Sequence, residues 1–288
     1  MNVAHSPAEL ERRERAVAVG TFDGVHRGHQ RVITGAVETG LVPTVVTFDP
    51  HPRLALGYGV ELLSTLERRL ELLAEAGVAD TLVVEFTPEL AQREPADFAE
   101  SLLRRIGTRA IVVGENFRFG RGAAGDPALL ERLGFEVRTV PLVSGISSSE
   151  VRTLLRGGDV GGAARLLGRP PELDGTVVLG SQRGGTLGYP TANLAVAPDL
   201  IVPAYGIYAG SALDHRAAIS IGVNPHYGGG ERRIEPHLLD FEGDLYGKRL
   251  VVELWRRLRD ERAFDSEAEL VAQIARDVDE TRQTERPV

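Results

Sequence analysis

The feature that most constrains this chain is a glycine-rich segment between a strand pattern and a helix pattern. Residues 16–20 are Ala-Val-Ala-Val-Gly, a short run typical of a buried strand, and Gln30 to Thr39 has the composition of a helix. The sequence between them is Gly20-Thr-Phe-Asp-Gly-Val-His-Arg-Gly-His29. A glycine loop that leads from a strand into a helix is typical of a parallel α/β sheet, and the unpaired N–H groups at the helix start attract phosphate.

The rest of the first half repeats this alternation. β-type runs predict strands at 44–48, 81–86, 110–114 and 136–142. Leucine spacing predicts a helix from Glu61 to Ala76, and helices are also expected at 95–105, 148–156 and 160–167. Gly168 and the prolines after it end the last of these helices. We therefore predict a mononucleotide-binding α/β domain over residues 1–168.

Beyond Gly168 the pattern changes to short β-type runs separated by glycine turns. The runs lie at 176–179, 207–212, 217–221, 234–241 and 250–254. Glu242-Gly243 predicts a hairpin turn between the last two runs, and Ser266 with Glu269 predicts the capped start of a final helix. Residues 169–288 are therefore expected to form a small antiparallel β-barrel with a C-terminal helix.

Composition excludes several classes of function. The chain has 33 Lys and Arg against 41 Asp and Glu, and its net charge of −8 opposes binding to nucleic acid or to an anionic membrane surface. It has no cysteine, which excludes disulfides, thiolate zinc sites and a cysteine nucleophile. No apolar stretch approaches the roughly 18 residues of a membrane helix, and the mixed charges of the first 15 residues match no secretion signal. We expect a cytoplasmic location.

His26 and His29 are the candidate catalytic residues of the first half. They lie three residues apart at a predicted helix start, so both side chains can donate hydrogen bonds to a phosphate that gains charge in its transition state. The alternative is two solvated histidines in an ordinary glycine turn. Further along, Arg152 lies in the first turn of a predicted helix, where the helix dipole does not favour a cation. An anionic partner would explain it.

Two groups of residues in the second half suggest chemistry. Thr191 and Asn193 offer a hydroxyl and an amide oxygen, hard ligands that suit Mg²⁺ carried in by a nucleotide, although both residue types are also common in turns. Glu235 could take a proton from a substrate hydroxyl as a general base. Its alternative is a surface ion pair with Arg232 or Arg233.

Several segments in order resemble one known family. Residues 20–29, Phe48-Asp-Pro-His-Pro52, Gly114-Glu-Asn-Phe-Arg-Phe-Gly120 and Ile146-Ser-Ser-Ser-Glu-Val-Arg152 resemble the HxGH nucleotidyltransferases and, more specifically, the prokaryotic bifunctional riboflavin kinase/FAD synthetase family. Residues 187–194, 234–247 and 259–264 resemble its riboflavin kinase half. The resemblance implies a Rossmann-like domain that adenylylates FMN to FAD with release of pyrophosphate. It also implies a barrel that phosphorylates riboflavin to FMN, with ATP and Mg²⁺ used by both halves.

The resemblance also implies site residues. His26, His29, Ser148 and Arg152 would stabilise the reacting phosphates, Glu235 would be the kinase base, and Thr191 and Asn193 would hold the metal. The residues expected to contact nucleotide or flavin are Gly20, Phe22, Asp23, Gly24, Asn116, Ser147, Ser148, Gly180, Arg183 and Gly188.

Two departures affect the kinase half: Gly185 stands where the family commonly has arginine, and His226 where it usually has threonine. They leave open an alternative in which one half only binds flavin or nucleotide. A further alternative keeps the adenylyl-transfer chemistry with another phosphorylated acceptor.

Overall fold

The structure, a computed structural model, describes residues 1–180, 185, 187–223 and 232–287. The chain divides into two compact units, Met1–Val60 with Leu66–Ser147, and Glu61–Thr65 with Ser148–Val288. The contacts thus divide after Ser147, whereas the sequence places the boundary at Gly168. The difference arises because the helices between 148 and 167 bury Val151 and Leu155 in the core of the second unit.

A parallel six-stranded sheet forms the centre of the first unit. Its strands are β1 (Asn2–Ala4), β2 (Arg15–Val19), β3 (Val42–Asp49), β4 (Asp80–Glu85), β5 (Thr108–Gly114) and β6 (Glu136–Val140). Its helices are α1 (Arg27–Val37), α2 (Pro52–Ala55), α3 (Leu66–Glu75), α4 (Pro88–Ala91), α5 (Pro95–Phe98, continued by a π-helix at Ala99–Arg104) and α6 (Pro127–Arg132). Short 3₁₀ turns lie at Pro7–Glu9 and Arg121–Ala123. The predicted parallel α/β class is confirmed; β1 was not predicted.

The strand order positions the loop after β2. The order is β1-β4-β3-β2-β5-β6. From β2 the chain adds β3 and β4 on one side of the sheet, and it then crosses to add β5 and β6 on the other side of β2. Alternate residues of β2 face opposite cores: Ala16 and Ala18 pack with α1, whereas Val17 and Val19 pack with α5. The loops after β2 and β5 therefore leave the sheet where its strand order reverses, which is where open α/β sheets bind ligands.

The second unit is a nearly closed antiparallel barrel with helices. Its strands are β7 (Glu172–Val178), β8 (Asn193–Val196), β9 (Gly206–Ala212), β10 (His215–Val223), β11 (Arg232–Leu238) and β12 (Arg249–Arg259). Its helices are α7 (Ser148–Arg156), α8 (Val160–Leu167) and α9 (Glu267–Gln283). The order is β11-β10-β9-β12-β7-β8, and the Ala192 N–H donates to the Pro236 carbonyl at 2.9 Å beside the two edge strands. The predicted barrel and C-terminal helix are confirmed.

Two local predictions are wrong. Residues 61–65 are not helical, because the Leu62 N–H donates to Asp199 O at 2.6 Å and the Leu62 carbonyl accepts from Ile201 N at 2.8 Å. This pairing removes the first turn of the helix predicted from Glu61. Glu242-Gly243 does not close a hairpin either, since β12 pairs with β7 and β9 rather than with β11.

Candidate active sites

In the first unit, the loop between β2 and α1 brings the two predicted histidines together. His26 is the N-cap of α1, and its Nδ1 accepts from the backbone N–H of His29 at 3.3 Å. Because Nδ1 is the acceptor, the ring proton of neutral His26 lies on Nε2. Phe22, Gly24 and Val25 have φ values of 51°, 75° and 40°, so the backbone turns sharply before the helix.

The two imidazole rings stack directly on each other. Their centroids are 3.6 Å apart at 15°, and Phe22 lies edge-on to His29 at 5.2 Å. Burial lowers the pKa of His29 well below its usual value, and nearby His26 and Arg69 lower it further. His29 is therefore a neutral ring at pH 7. Its Nδ1 is buried and has no hydrogen-bond partner among the described residues.

Arg69 is a buried residue near His29 that the sequence analysis did not single out. Its side chain is 0% exposed and donates from Nη1 to the Phe48 carbonyl at 3.1 Å. Burial lowers the pKa of Arg69, while Asp23 and Asp49 oppose this shift. In the described part of the chain its Nε and Nη2 have no hydrogen-bond partner. The sequence offers a partial signal, because Arg69 lies on the same helix face as Leu73, although spacing alone does not require an arginine to be buried.

The other predicted residues of this unit lie in its loops. Asp23 is 1% exposed, and the Gly20 N–H donates to Val46 O at 3.1 Å, tying the loop to β3. Asn116 is exposed in the turn after β5, on the same edge of the sheet as the histidine loop. Ser147 is exposed at the last position of the unit. Asn116 and Ser147 are thus accessible to a ligand whereas Asp23 is buried, and the roles of all three stay predictions.

Ser148 and Arg152 belong to the second unit. Ser148 begins α7, and Arg152 lies in its second turn, not in the first turn as the sequence suggested. Arg152 is 8% exposed, and its Nε donates to the Glu61 carbonyl. The guanidinium thus has a backbone acceptor and lies beyond the first turn, so its position does not by itself require an anionic partner.

The barrel carries a cavity of about 610 Å³ that contains Glu235 and Thr191. Glu235 lies on β11 opposite Ser220 of β10, which also lines the cavity. Burial raises the pKa of Glu235, Arg233 opposes the shift, and Glu261 adds to it. The structure shows no ion pair between Glu235 and the described residues Arg232 and Arg233. Glu235 is therefore a partly buried base candidate in a cavity.

The loop before β8 is tied to the strand that carries Glu235. The Ala192 N–H donates to Pro236 O, and His237 Nδ1 lies 2.7 Å from Pro190 O. Thr191 lies between these two contacts. Asn193 is the first residue of β8, a strand that was not predicted, and its amide lies against Gly180 with no room for a methyl group there.

The remaining kinase predictions concern the glycine segment. Gly188 has a positive φ of 84°, and its N–H donates to Gly185 O at 3.3 Å. A Cβ added at Gly185 would meet no atom within 4 Å among the residues that the structure describes. Arg183 and His226 lie outside the described residues.

Further lining residues of the cavity come from β12, α9 and the loop between them. Phe264, Leu270 and Ile274 line it with apolar surface. Arg259 contacts Asp277 through two parallel bonds, Nε to Oδ1 at 2.9 Å and Nη2 to Oδ2 at 2.7 Å, and Asp277 is 4% exposed. Apolar side chains and the polar residues Thr191 and Glu235 thus line the same cavity, a combination typical of small-molecule sites.

Comparisons with known proteins match both units. The FAD synthetase family model matches residues 8–152, and the riboflavin kinase model matches residues 167–285. The chain belongs to the bifunctional riboflavin kinase/FMN adenylyltransferase family. Curated relatives with that name include proteins of Listeria monocytogenes, 33% identical over 93% of this chain and 91% of theirs, and Escherichia coli, 35% identical over 95% and 93%.

A solved structure supports the fold of this bifunctional family member. It is described as a macrolide-efflux protein from Streptococcus pneumoniae and matches at a TM-score of 0.88 and 30% identity, covering 98% of this chain and 99% of that one. Across the described residues, no helix is both long and apolar enough to cross a membrane. The family resemblance predicted from the sequence is confirmed.

Proposed function

We propose that the chain makes FMN from riboflavin and then FAD from FMN, spending one ATP in each step. The observation that carries the proposal is that both family models match, each on a part of the chain that bears its own set of polar candidates. The stacked His26 and His29 belong to the adenylyltransferase half, and Glu235 and Thr191 share the cavity of the kinase half.

In the adenylyl transfer, an FMN phosphate oxygen attacks the α-phosphorus of ATP. The bond from that phosphorus to the bridging oxygen breaks, and pyrophosphate leaves. His26 Nε2–H can donate to the phosphate that gains charge, and neutral His29 keeps one N–H for the same purpose. The start of α1 adds backbone N–H groups and the positive end of the helix dipole. We assign Ser148 and Arg152 to phosphate binding on the family resemblance.

In the phosphoryl transfer, the ribityl 5′-hydroxyl attacks the γ-phosphorus of ATP, and ADP leaves. Glu235 takes the hydroxyl proton, and its raised pKa makes it a stronger base than an exposed glutamate. We propose that Mg²⁺ is the divalent metal that the family uses with ATP. The described residues contain no cluster of three His, Asp or Glu that could hold a metal alone.

Thr191 and Asn193 fit a metal that arrives with nucleotide phosphates, since both can offer neutral oxygen ligands. Thr191 lines the cavity together with Glu235, and Asn193 begins β8 two residues later. Bound Mg²⁺ would neutralise charge on the transferring phosphate. The cysteine-free composition and the absence of a basic excess favour a cytoplasmic enzyme of small-molecule substrates.

The deciding experiment incubates the full chain with riboflavin and MgATP and separates riboflavin, FMN and FAD. His29→Asn should abolish FAD formation and leave FMN formation intact, whereas Glu235→Gln should do the reverse when FMN is supplied. The two variants control for each other, because each is expected to lose one activity and to keep the other. If both variants keep both activities, the site assignments are wrong; if the unchanged chain makes no FMN, the kinase half only binds its ligands.

A further inference from the structure

We propose that His237 is a positioning residue of the kinase site. Its Nδ1–H holds the Pro190 carbonyl, and this bond fixes the Thr191 hydroxyl relative to Glu235. The inference rests on the proposed kinase function, because it assigns Thr191 and Glu235 their roles. It concerns a side chain that neither touches the reacting atoms nor occurs among the residues predicted from the sequence.

The hydrogen bond defines the state of the ring. His237 Nδ1 lies 2.7 Å from Pro190 O, and a carbonyl can only accept, so Nδ1 must carry a proton. The ring also meets Tyr189 edge-on, with centroids 5.5 Å apart at 79°. One side chain thus contacts two consecutive residues that precede Thr191.

A second bond holds the other side of Thr191. The Ala192 N–H donates to the Pro236 carbonyl at 2.9 Å. On β11, His237 therefore holds Pro190 through its side chain, and Pro236 holds Ala192 through its backbone carbonyl. Thr191 lies between these two held residues. Without the His237 bond, the hydrogen bond from Ala192 to Pro236 would be the one left, among the described residues, between segment 190–192 and β11.

The same strand carries the proposed base. Glu235 and His237 are two residues apart on β11, so their side chains project from one face, and both line the cavity. Pairing with Ser220 and Ala218 on β10 fixes the register of both. The strand that positions the base therefore also positions the hydroxyl proposed to bind the metal, and an error of about 1 Å in such a site can cost about 10²-fold in rate.

Two variants separate the hydrogen bond from the ring contact. His237→Phe keeps an aromatic ring beside Tyr189 but has no N–H. His237→Asn loses the ring but keeps an amide N–H that can donate to the Pro190 carbonyl. A role in packing alone predicts that the phenylalanine variant is the milder change, whereas positioning by the hydrogen bond predicts the opposite.

The experiment uses the full chain and two measurements. Hydrogen exchange of the Ala192 amide reports whether the segment is held, and steady-state kinetics report KM for MgATP and for riboflavin separately. In His237→Phe, we expect exchange and KM for MgATP each to rise about three- to tenfold, the value of one hydrogen bond. KM for riboflavin should change less than twofold, and His237→Asn should resemble the unchanged chain in both measurements.

Other outcomes overturn the inference. Unchanged exchange in His237→Phe means that the bond does not hold the segment, and faster exchange with unchanged KM for MgATP means that the segment does not set nucleotide binding. Equal behaviour of the two variants assigns the effect to the ring. The melting midpoint of each preparation, measured beside adenylylation of added FMN, controls for folding of both units. An unchanged chain that makes no FMN would contradict the proposed function instead.

Discussion

His26 has two separable roles, because Nδ1 of its ring caps α1 and Nε2 carries a proton that can be donated. Nδ1 accepts from the His29 N–H, which satisfies one backbone donor at the start of α1, and Nε2 carries the proton proposed to meet the phosphate. A side chain that keeps an acceptor at the position of Nδ1 but has no donor at the position of Nε2 can therefore distinguish helix stability from catalysis.

We expect His26→Asn to keep the cap through its amide oxygen and to leave the free energy of unfolding nearly unchanged, while adenylyl transfer falls about 10²-fold or more. His26→Ala loses the cap as well, and should cost about 1 kcal/mol of stability. Urea unfolding and FAD formation from FMN measure the two effects. Equal stability of the two variants would show that the cap contributes little.

Glu235 is a residue where stability and function oppose each other. Its pKa is raised by burial, so the folded chain binds the carboxyl proton more tightly than the unfolded chain does. Stability therefore falls as pH rises from the unfolded pKa through the folded one, and ionisation costs free energy at pH 7.

Glu235→Gln removes that cost. The kinase kcat should fall about 10²- to 10⁴-fold, while the melting midpoint at pH 7 rises, on the order of 2 °C. The stability difference between the two proteins should shrink as pH is lowered towards the range where an ordinary glutamate protonates. Melting curves from pH 4.5 to 8 check this, and a variant less stable at pH 7 would refute the sign.

Regular elements with strong local signals were predictable from the sequence, and those made by distant contacts were not. The predicted bounds of α7 and α8 agree with the structure, because apolar spacing and the end at Gly168, which adopts φ 76°, are local properties. The segment 61–65 has leucines at helical spacing, yet pairing with residues 199–201 makes it extended. Similarly, the burial of Arg69 and the tie from His237 depend on elements far along the chain.

The junction of β7 and β8 offers a steric test of the proposed metal ligand. A methyl group at Gly180 would overlap the Asn193 amide, whereas one at Gly185 would meet no atom of the described residues within 4 Å. We expect Gly180→Ala to displace the amide and raise KM for MgATP in the kinase reaction by about tenfold, the loss of one charge-assisted contact. Gly185→Ala is the matched control and should change KM less than twofold. If the two variants behave alike, the Asn193 side chain does not hold the metal.

The histidine pair and Glu235 lie in different units, and the two proposed reactions share FMN as a small-molecule intermediate. Each unit has its own buried core, with separate clusters around the parallel sheet and inside the barrel. The histidine pair lies in one unit and Glu235 in the other. FMN is released as the product of one proposed reaction and bound as the substrate of the other, so nothing in the proposed chemistry requires both active sites to be on the same molecule.

This separation predicts complementation between inactive halves. His29→Asn alone should convert riboflavin to FMN and stop, and Glu235→Gln alone should leave riboflavin unchanged. An equimolar mixture should make FAD from riboflavin and MgATP after a lag in which free FMN accumulates, because FMN must diffuse between molecules. Adding excess FMN at the start should abolish the lag and leave the final rate within about twofold, the behaviour expected once FMN exceeds its KM. A mixture that accumulates FMN without forming FAD, although Glu235→Gln adenylylates added FMN, would show that FMN made by one molecule does not reach another.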